Sequence, residues 1–289
     1  MTVASFILLY GLSYGLVLCL IAVGLVVTMG LMRVVNLAHG AFAAIGGYLS
    51  TGLMVDGGVP LPLAIVLAVV AVGLFSLAVE RLVFVYLYTA SELDQMLLTI
   101  GLNFLAIGGL TLFFGPNVYP TKLPAWLAGS VDFGFRAFEV YRLAVIVVGL
   151  AVMAALFVVF ELTTVGAQLR ASVDNRSMAQ AAGINVPRLF SLMFVVGSAL
   201  AALGGAIGAP MLPLEPTYPF KYLVLVLIIV ALSGFGRIKD ALGVSILIGI
   251  AETAGRYFWP EASGFLIYVL LIVLIVWRRD GLFVRRALS

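Results

Sequence analysis

The 289-residue chain is 64% hydrophobic and 10% charged, with 16 Lys and Arg, 13 Asp and Glu, one His and one Cys. So little charge excludes a soluble domain with an ordinary solvated surface, and a net charge of +3 is no nucleic-acid signal. With a single Cys and a single His, a disulfide framework and a metal-ligand cluster are both excluded.

Apolar segments lie near 6–30, 40–55, 60–80, 96–114, 139–160, 188–209, 221–236, 240–256 and 262–278. A bilayer crossing takes roughly 20 apolar residues. The expected fold is therefore all-α: a polytopic integral membrane protein of about 8–9 transmembrane or half-transmembrane helices. Residues 1–289 form a single transmembrane domain with no room for a separate soluble one. Segment 40–55 is short and reads either as a span or as a re-entrant half-helix. Arg33 is the first basic residue, so no positively charged n-region of a cleavable signal is expected. An N-terminus outside and a C-terminus in the cytoplasm put Arg33, Arg81, Arg170, Arg176, Arg188, Arg237, Lys239, Arg278, Arg279, Arg285 and Arg286 inside. Lys122, Arg136, Arg142, Lys221 and Arg256 stay outside, a bias that agrees with the positive-inside rule.

In chain order, residues 30–50 interrupt an apolar background with Arg33, Asn36 and His39, followed by Gly40, Gly46 and Gly47. Polar groups at membrane depth face a cavity or partner helices, and transporters break helices where substrate binds. A short cytoplasmic turn is the other reading of the same residues. Asp56, Gly57, Gly58 and Pro60 form an external turn. Glu80 and Arg81 mark the next cytoplasmic end, and Asn103 sits inside a span, suited to a helix-to-helix hydrogen bond or to a pathway. Residues 115–138, with Pro116, Pro120, Pro124 and Trp126, read as a structured external loop.

The one long polar interval is Glu161–Arg188. Gln168 to Ala182 reads as one surface helix with Leu169, Val173 and Ala179 as a thin apolar stripe. Gly183 then serves as its C′ residue, Asn185 as the next N-cap, and Pro187 belongs to the following first turn. Further on, Gly197, Ala201, Gly204 and Gly208 share one face for close helix packing. Glu215 in the loop 210–220 reads as a solvated charge. Glu252 is either a pathway residue or half of an i,i+4 pair with Arg256. No GxxxxGK[ST] phosphate loop is present, and no Ser-His-Asp set can be assembled around His39, so enzymatic chemistry within the chain is not expected.

Three blocks carry a family resemblance. The first is Val35-Asn36-Leu37-Ala38-His39-Gly40-Ala41-Phe42 with Gly46-Gly47-Tyr48. The second is Glu161, Gly166, Gln168-Leu169-Arg170-Ala171 and Ala181-Ala182-Gly183-Ile184-Asn185. The third is Ala231-Leu232-Ser233-Gly234-Phe235-Gly236 with Gly243, Gly249, Glu252 and the terminal Arg278-Arg279-Asp280-Gly281-Leu282-Phe283. Leu98 to Leu102 and Phe114-Gly115 add to them. Together they resemble ABC-importer permeases of the branched-chain amino acid (LivH) type, departing at Arg237-Ile238-Lys239-Asp240, where that family more usually has small residues and proline.

The resemblance implies a coupling loop at 161–188 that docks on separate ATPase subunits, with Glu161, Gly166, Arg170, Arg176, Ala182, Gly183 and Ile184 as its contact residues. It implies a substrate pathway near Asn36, His39, Gly40, Asn103, Ser233 and Glu252. The implied partners are a second related permease, two ATP-binding cassette subunits, an extracytoplasmic solute-binding protein and the lipid bilayer, with no cofactor. A urea or short-amide permease of the same architecture is the alternative within the family. A self-contained secondary transporter or channel is the alternative of another class, and it predicts paired charges in mid-span.

Overall fold

The computed structural model describes residues 2–32, 36–87, 90–132, 137–234 and 237–277. Arg33, Val35, Arg136, Phe235, Gly236 and the terminal Arg278 to Arg286 lie outside the described residues. The helices are α1 (Thr2–Met32), α2 (His39–Val55), α3 (Leu61–Val79), α4 (Val85–Leu87), α5 (Glu92–Phe114), α6 (Val140–Leu162), α7 (Thr164–Asp174), α8 (Arg176–Ala181), α9 (Val186–Gly208), α10 (Tyr218–Ser233), α11 (Ile238–Phe258) and α12 (Ser263–Trp277). Among the described residues, 3–30, 61–87, 92–114, 140–162 and 186–208 are long and apolar enough to cross a membrane. With the shorter or more polar α2, α10, α11 and α12, the nine expected apolar segments all appear as helices.

α1 and α9 form the centre. Of the most apolar window of each, 72% and 61% is buried, against 17% for α5 and 22% for α6. α1 packs on α9 and α11, α9 also holds α2 and α3, and α5 and α6 lie at the periphery. The central contacts are made by backbone. Gly24 on α1 meets Gly197 on α9, and Gly249 on α11 meets Gly11 and Gly15 on α1, in each case with no room for a Cβ. In lipid there is little hydrophobic gain from pressing helices together, so small residues that let backbones approach supply the van der Waals contact. Leu16 to Leu20, Val23, Leu25 and Val26 fill the space around this axis and are fully buried.

Two elements differ from expectation. The polar helix expected over 168–182 is divided at Asn175, whose extended backbone (φ −151°) ends α7 and whose Oδ1 accepts from the Met178 N–H at 3.0 Å to start α8. An Asn side chain competes for nearby backbone donors and so favours a cap over a helix interior. The loop between α5 and α6 contains a short antiparallel pair, Ser130–Asp132 with Ala137–Glu139. Near the other end, α3 runs on through a π-helical turn, Glu80–Phe84, into α4. Glu80 is buried and accepts from Ser191 Oγ at 2.9 Å, so it does not sit in water at a span end.

Substitution separates packing glycines from idle ones. Gly24→Ala forces the α1–α9 backbones apart and costs about 1–3 kcal/mol, as overpacking does. Gly101→Ala on α5 meets open space and is neutral or stabilising by up to about 1 kcal/mol. Thermal unfolding of the two purified variants in one detergent is the check: a lower midpoint for Gly24→Ala and none for Gly101→Ala is expected.

Candidate functional site

Between α1 and α2 the chain turns back into the interior. His39 Nε2 lies 2.8 Å from the Ile21 carbonyl, and because a carbonyl only accepts, the Nε2–H tautomer is the donor. Ile21 is eleven residues before Met32, about 16 Å back along α1 at 1.5 Å per residue. Asn103, at the midpoint of α5, donates its Nδ2 to the Leu37 carbonyl at 2.8 Å. Further along α2, Gly52 and Tyr48 reach Phe114, so α2 runs beside the second half of α5 and in the same direction. Asn36 and His39 are both buried, 2% and 1% exposed, beside the middle of α1.

Gly40 opens α2 directly against Pro219, at the start of α10; a Cβ there would overlap the Pro219 carbonyl oxygen. Two short helices thus meet N-terminus to N-terminus, and neither has a side-chain cap. Around them both polar atoms of Asn36, the Oδ1 of Asn103 and the Tyr218 hydroxyl are buried without a hydrogen bond. Buried polar groups are nearly always paired, so a group of unpaired ones marks a site with a use for them. Of the expected pathway residues, Asn36, His39, Gly40 and Asn103 converge here.

Ser233 and Glu252 do not join them. Ser233 is buried at the far end of α10, donating to the Val230 carbonyl of its own helix. Glu252 lies on α11 with its Oε1 2.5 Å from Arg256 Nη2, the i,i+4 pair that the spacing allows. Tyr14 and Tyr218 carry no sequence signal beyond a phenol in an apolar run. Pro219 is brought to Gly40 only by the tertiary fold.

At the polar interval, α7 folds back on the end of α6. Gly166 fits only because it lacks a Cβ, which would strike the Phe160 carbonyl. Arg170 Nη1 donates to that same carbonyl and lies 3.8 Å from Glu161. Leu169 is buried with Val23, Val27, Met153, Leu189 and Ile238. α8 ends in a Schellman turn: the Gly183 N–H donates to Gln180 and the Ile184 N–H to Ala179, with Gly183 at φ +85°. Ala179, Ile184, Val186 and Phe190 pack beneath it, and the Arg176 guanidinium lies 5.5 Å from the Phe190 ring. Asn185 Oδ1 caps α9 at the Arg188 N–H. Outward, α8 presents Arg176, Met178, Ala181, Ala182 and Gly183, all exposed.

The long apolar helices are those of a polytopic membrane protein. The chain belongs to the family described as branched-chain amino acid transport system / permease component, which matches residues 7–275. It is 25% identical to the high-affinity branched-chain amino acid transport system permease protein BraD of Pseudomonas aeruginosa, covering 95% of this chain and 94% of that protein. It is 26% identical to the permease protein LivH of Escherichia coli, covering 94% and 92%. It is also 26% identical to a probable LivH permease of Methanocaldococcus jannaschii, covering 91% and 85%. No solved structure is a significant match.

The two asparagines respond differently to replacement. Asn103→Leu strands the Leu37 carbonyl and lowers stability by about 1–3 kcal/mol, the penalty for an unpaired buried acceptor. Asn36→Leu removes no hydrogen bond and leaves stability unchanged or raised. Melting curves of the two purified proteins distinguish them, and equal losses would contradict the geometry.

Proposed function

We propose that the chain is the membrane-spanning subunit of an ATP-driven importer for branched-chain or similar small hydrophobic amino acids. It works with a second related permease, two ATPase subunits and an extracytoplasmic binding protein. The observation that carries this reading is the surface of α7 and α8. α8 offers Met178 and a small-residue end at Ala181, Ala182 and Gly183 to a partner, while its other side is tied to α9. α7 is tied to α6 through Gly166 and Arg170. A partner that moves α8 therefore moves the ends of two spans.

On this reading the route for the amino acid passes Asn36, His39, Gly40 and Asn103. Uncapped helix N-termini carry partial positive charge, and they suit the carboxylate of a passing zwitterion, as half-helix ends do in other transporters. Glu252 lies nearer one mouth of the route and Ser233 nearer the other. Asn36→Leu is expected to slow uptake without preventing assembly of the complex. The relatives named as branched-chain amino acid permeases support this substrate class.

Gly183→Leu tests the coupling. At φ +85° a side chain costs roughly 1–2 kcal/mol in backbone conformation alone. Uptake and transport-linked ATP hydrolysis should fall together, while insertion into the membrane is retained. Normal uptake in a correctly inserted protein would refute the docking role.

Orientation has its own test. Ser172 is buried and unsuited to a label, whereas Ser177 on α8 and Ala128 in the loop are exposed. Cysteines placed singly at Ser177 and Ala128, in a background where Cys19 is replaced by Ala, should react with an impermeant maleimide from opposite sides. Ser177 is expected on the cytoplasmic side.

A further inference from the structure

At the end of the molecule opposite α7 and α8, a cavity of about 330 Å³ opens between the start of α1, the start of α6 and the end of α11. Phe6, Tyr10, Tyr14, Arg142, Glu252 and Arg256 are among its walls, and Met211 reaches it from the linker that leads into α10. Glu252 is nine-tenths buried at its base, and its Oε2 has no hydrogen bond. The Tyr14 hydroxyl lies next to this carboxylate, and neither it nor Glu252 Oε2 has a hydrogen bond of good geometry. Arg256, whose side chain is 63% exposed, stands at the mouth, its Nη2 on Glu252 Oε1 and its guanidinium 5.7 Å from the Tyr14 ring. Across from it Arg142 stacks 4.2 Å from the Tyr10 ring and is held by Glu139 at 2.9 Å and by Ser13 Oγ at 3.4 Å.

From this geometry we infer a second amino-acid site, an outer vestibule that receives the free zwitterion before it enters the route at Asn36. The inference rests on the amino-acid reading of the permease and gives it a further binding step. Three features support it. The volume is at the low end of the roughly 300–1,000 Å³ typical of small-molecule pockets, which suits one amino acid and little more. Of its charged lining groups, Glu252 lies buried and Arg256 exposed, paired with each other, while Arg142 is paired with Glu139, which does not line the cavity. A zwitterion complements the Glu252 and Arg256 pair, whereas a simple anion, a simple cation or neutral urea does not. The deep Glu252 Oε2, with the Tyr14 ring beside it, accepts an ammonium. Arg256 at the rim accepts the carboxylate, and Phe6, Met211 and Tyr257 meet an aliphatic side chain.

The test uses the full permease assembly with its ATPases in lipid nanodiscs, without binding protein, and tritiated L-leucine in a scintillation proximity assay. Saturable leucine binding is expected. Isocaproate, which lacks the ammonium, isoamylamine, which lacks the carboxylate, and urea should all fail to displace it. Glu252→Gln should weaken binding roughly tenfold or more, the scale of one charge-assisted hydrogen bond. Thr253→Trp, which fills the cavity, should abolish it. The paired wild-type measurement is leucine uptake with binding protein and ATP. Uptake without any vestibule binding overturns the second site and leaves the permease reading standing. Binding without uptake overturns the importer reading and leaves the site. Displacement by urea as effective as by leucine, or wild-type affinity in both variants, also overturns the site. If one variant aggregates, the other and the two truncated ligands still decide.

Discussion

Backbone contact between α1 and its two neighbours is the constraint on which the remaining packing depends. Gly24 against Gly197, and Gly249 against Gly11 and Gly15, bring main chain onto main chain at two levels of one helix. Contacts this close cannot slide by a residue without driving a side chain into a backbone. α1 is thereby fixed in register against both α9 and α11. The peripheral α5 has no such lock, since a Cβ on Gly101, Gly108 or Gly109 meets nothing within 4 Å, whereas Gly149 on α6 sits tight against the Leu16 side chain of α1. Among the long helices α5 is therefore the least constrained, while α1, α9 and α11 serve as the frame.

That frame makes the interior break affordable. Backbone leaving helical geometry inside a bilayer must find partners for its freed groups. His39 takes the Ile21 carbonyl and Asn103 takes the Leu37 carbonyl, so two side chains support the turn from either side. What remains unpaired is the side chain of Asn36, the Oδ1 of Asn103 and the hydroxyl of Tyr218, beside two facing helix N-termini of like partial charge. That arrangement is costly when empty, since the two dipole ends repel and the polar atoms lack partners. On the proposed reading it becomes favourable once a polar group enters, and a transport route needs just such weak, transient stabilisation.

The nine apolar segments were legible because bilayer thickness imposes length and composition on each of them. The helix termini around Gly183 and Asn185 were legible because capping is local: the Schellman turn and the Asn185 cap involve residues within a few positions of one another. Asn175 shows the limit of the same local reasoning, since an Asn is tolerated within a helix and only here takes a cap. The pairing of Gly40 with Pro219, the burial of Ser172 and the carboxylate of Glu80 beneath Ser191 depend on tertiary approach and leave no pattern in the chain. Four of the six residues of the expected pathway set lie together in space, Asn36, His39 and Gly40 with Asn103, while Ser233 and Glu252, named from the third block of the resemblance, stand apart.

The two halves of the polar interval differ in how they are attached, and the difference bears on how force would travel on the proposed coupling reading. α8 rests on a small cluster of Ala179, Ile184, Val186 and Phe190 at the start of α9. α7 instead sends Leu169 into a cluster shared with Cys19, Val23 and Val27 of α1, Met153 and Leu156 of α6, and Ile238 of α11. A displacement applied at α8 thus reaches α9 through a shallow contact. The same displacement, passed through Asn175 to α7, reaches the frame helix α1 through the buried side chain of Leu169, which packs with Cys19, Val23 and Val27. Close-packed interiors transmit strain because they have no slack to absorb it. On that reading two packed paths leave the polar interval: one enters α9, which holds α2 at Gly46–Ala202 and Gly205–Ala43, and the other enters α1 through Leu169, a residue that touches neither the proposed ATPase nor the proposed substrate.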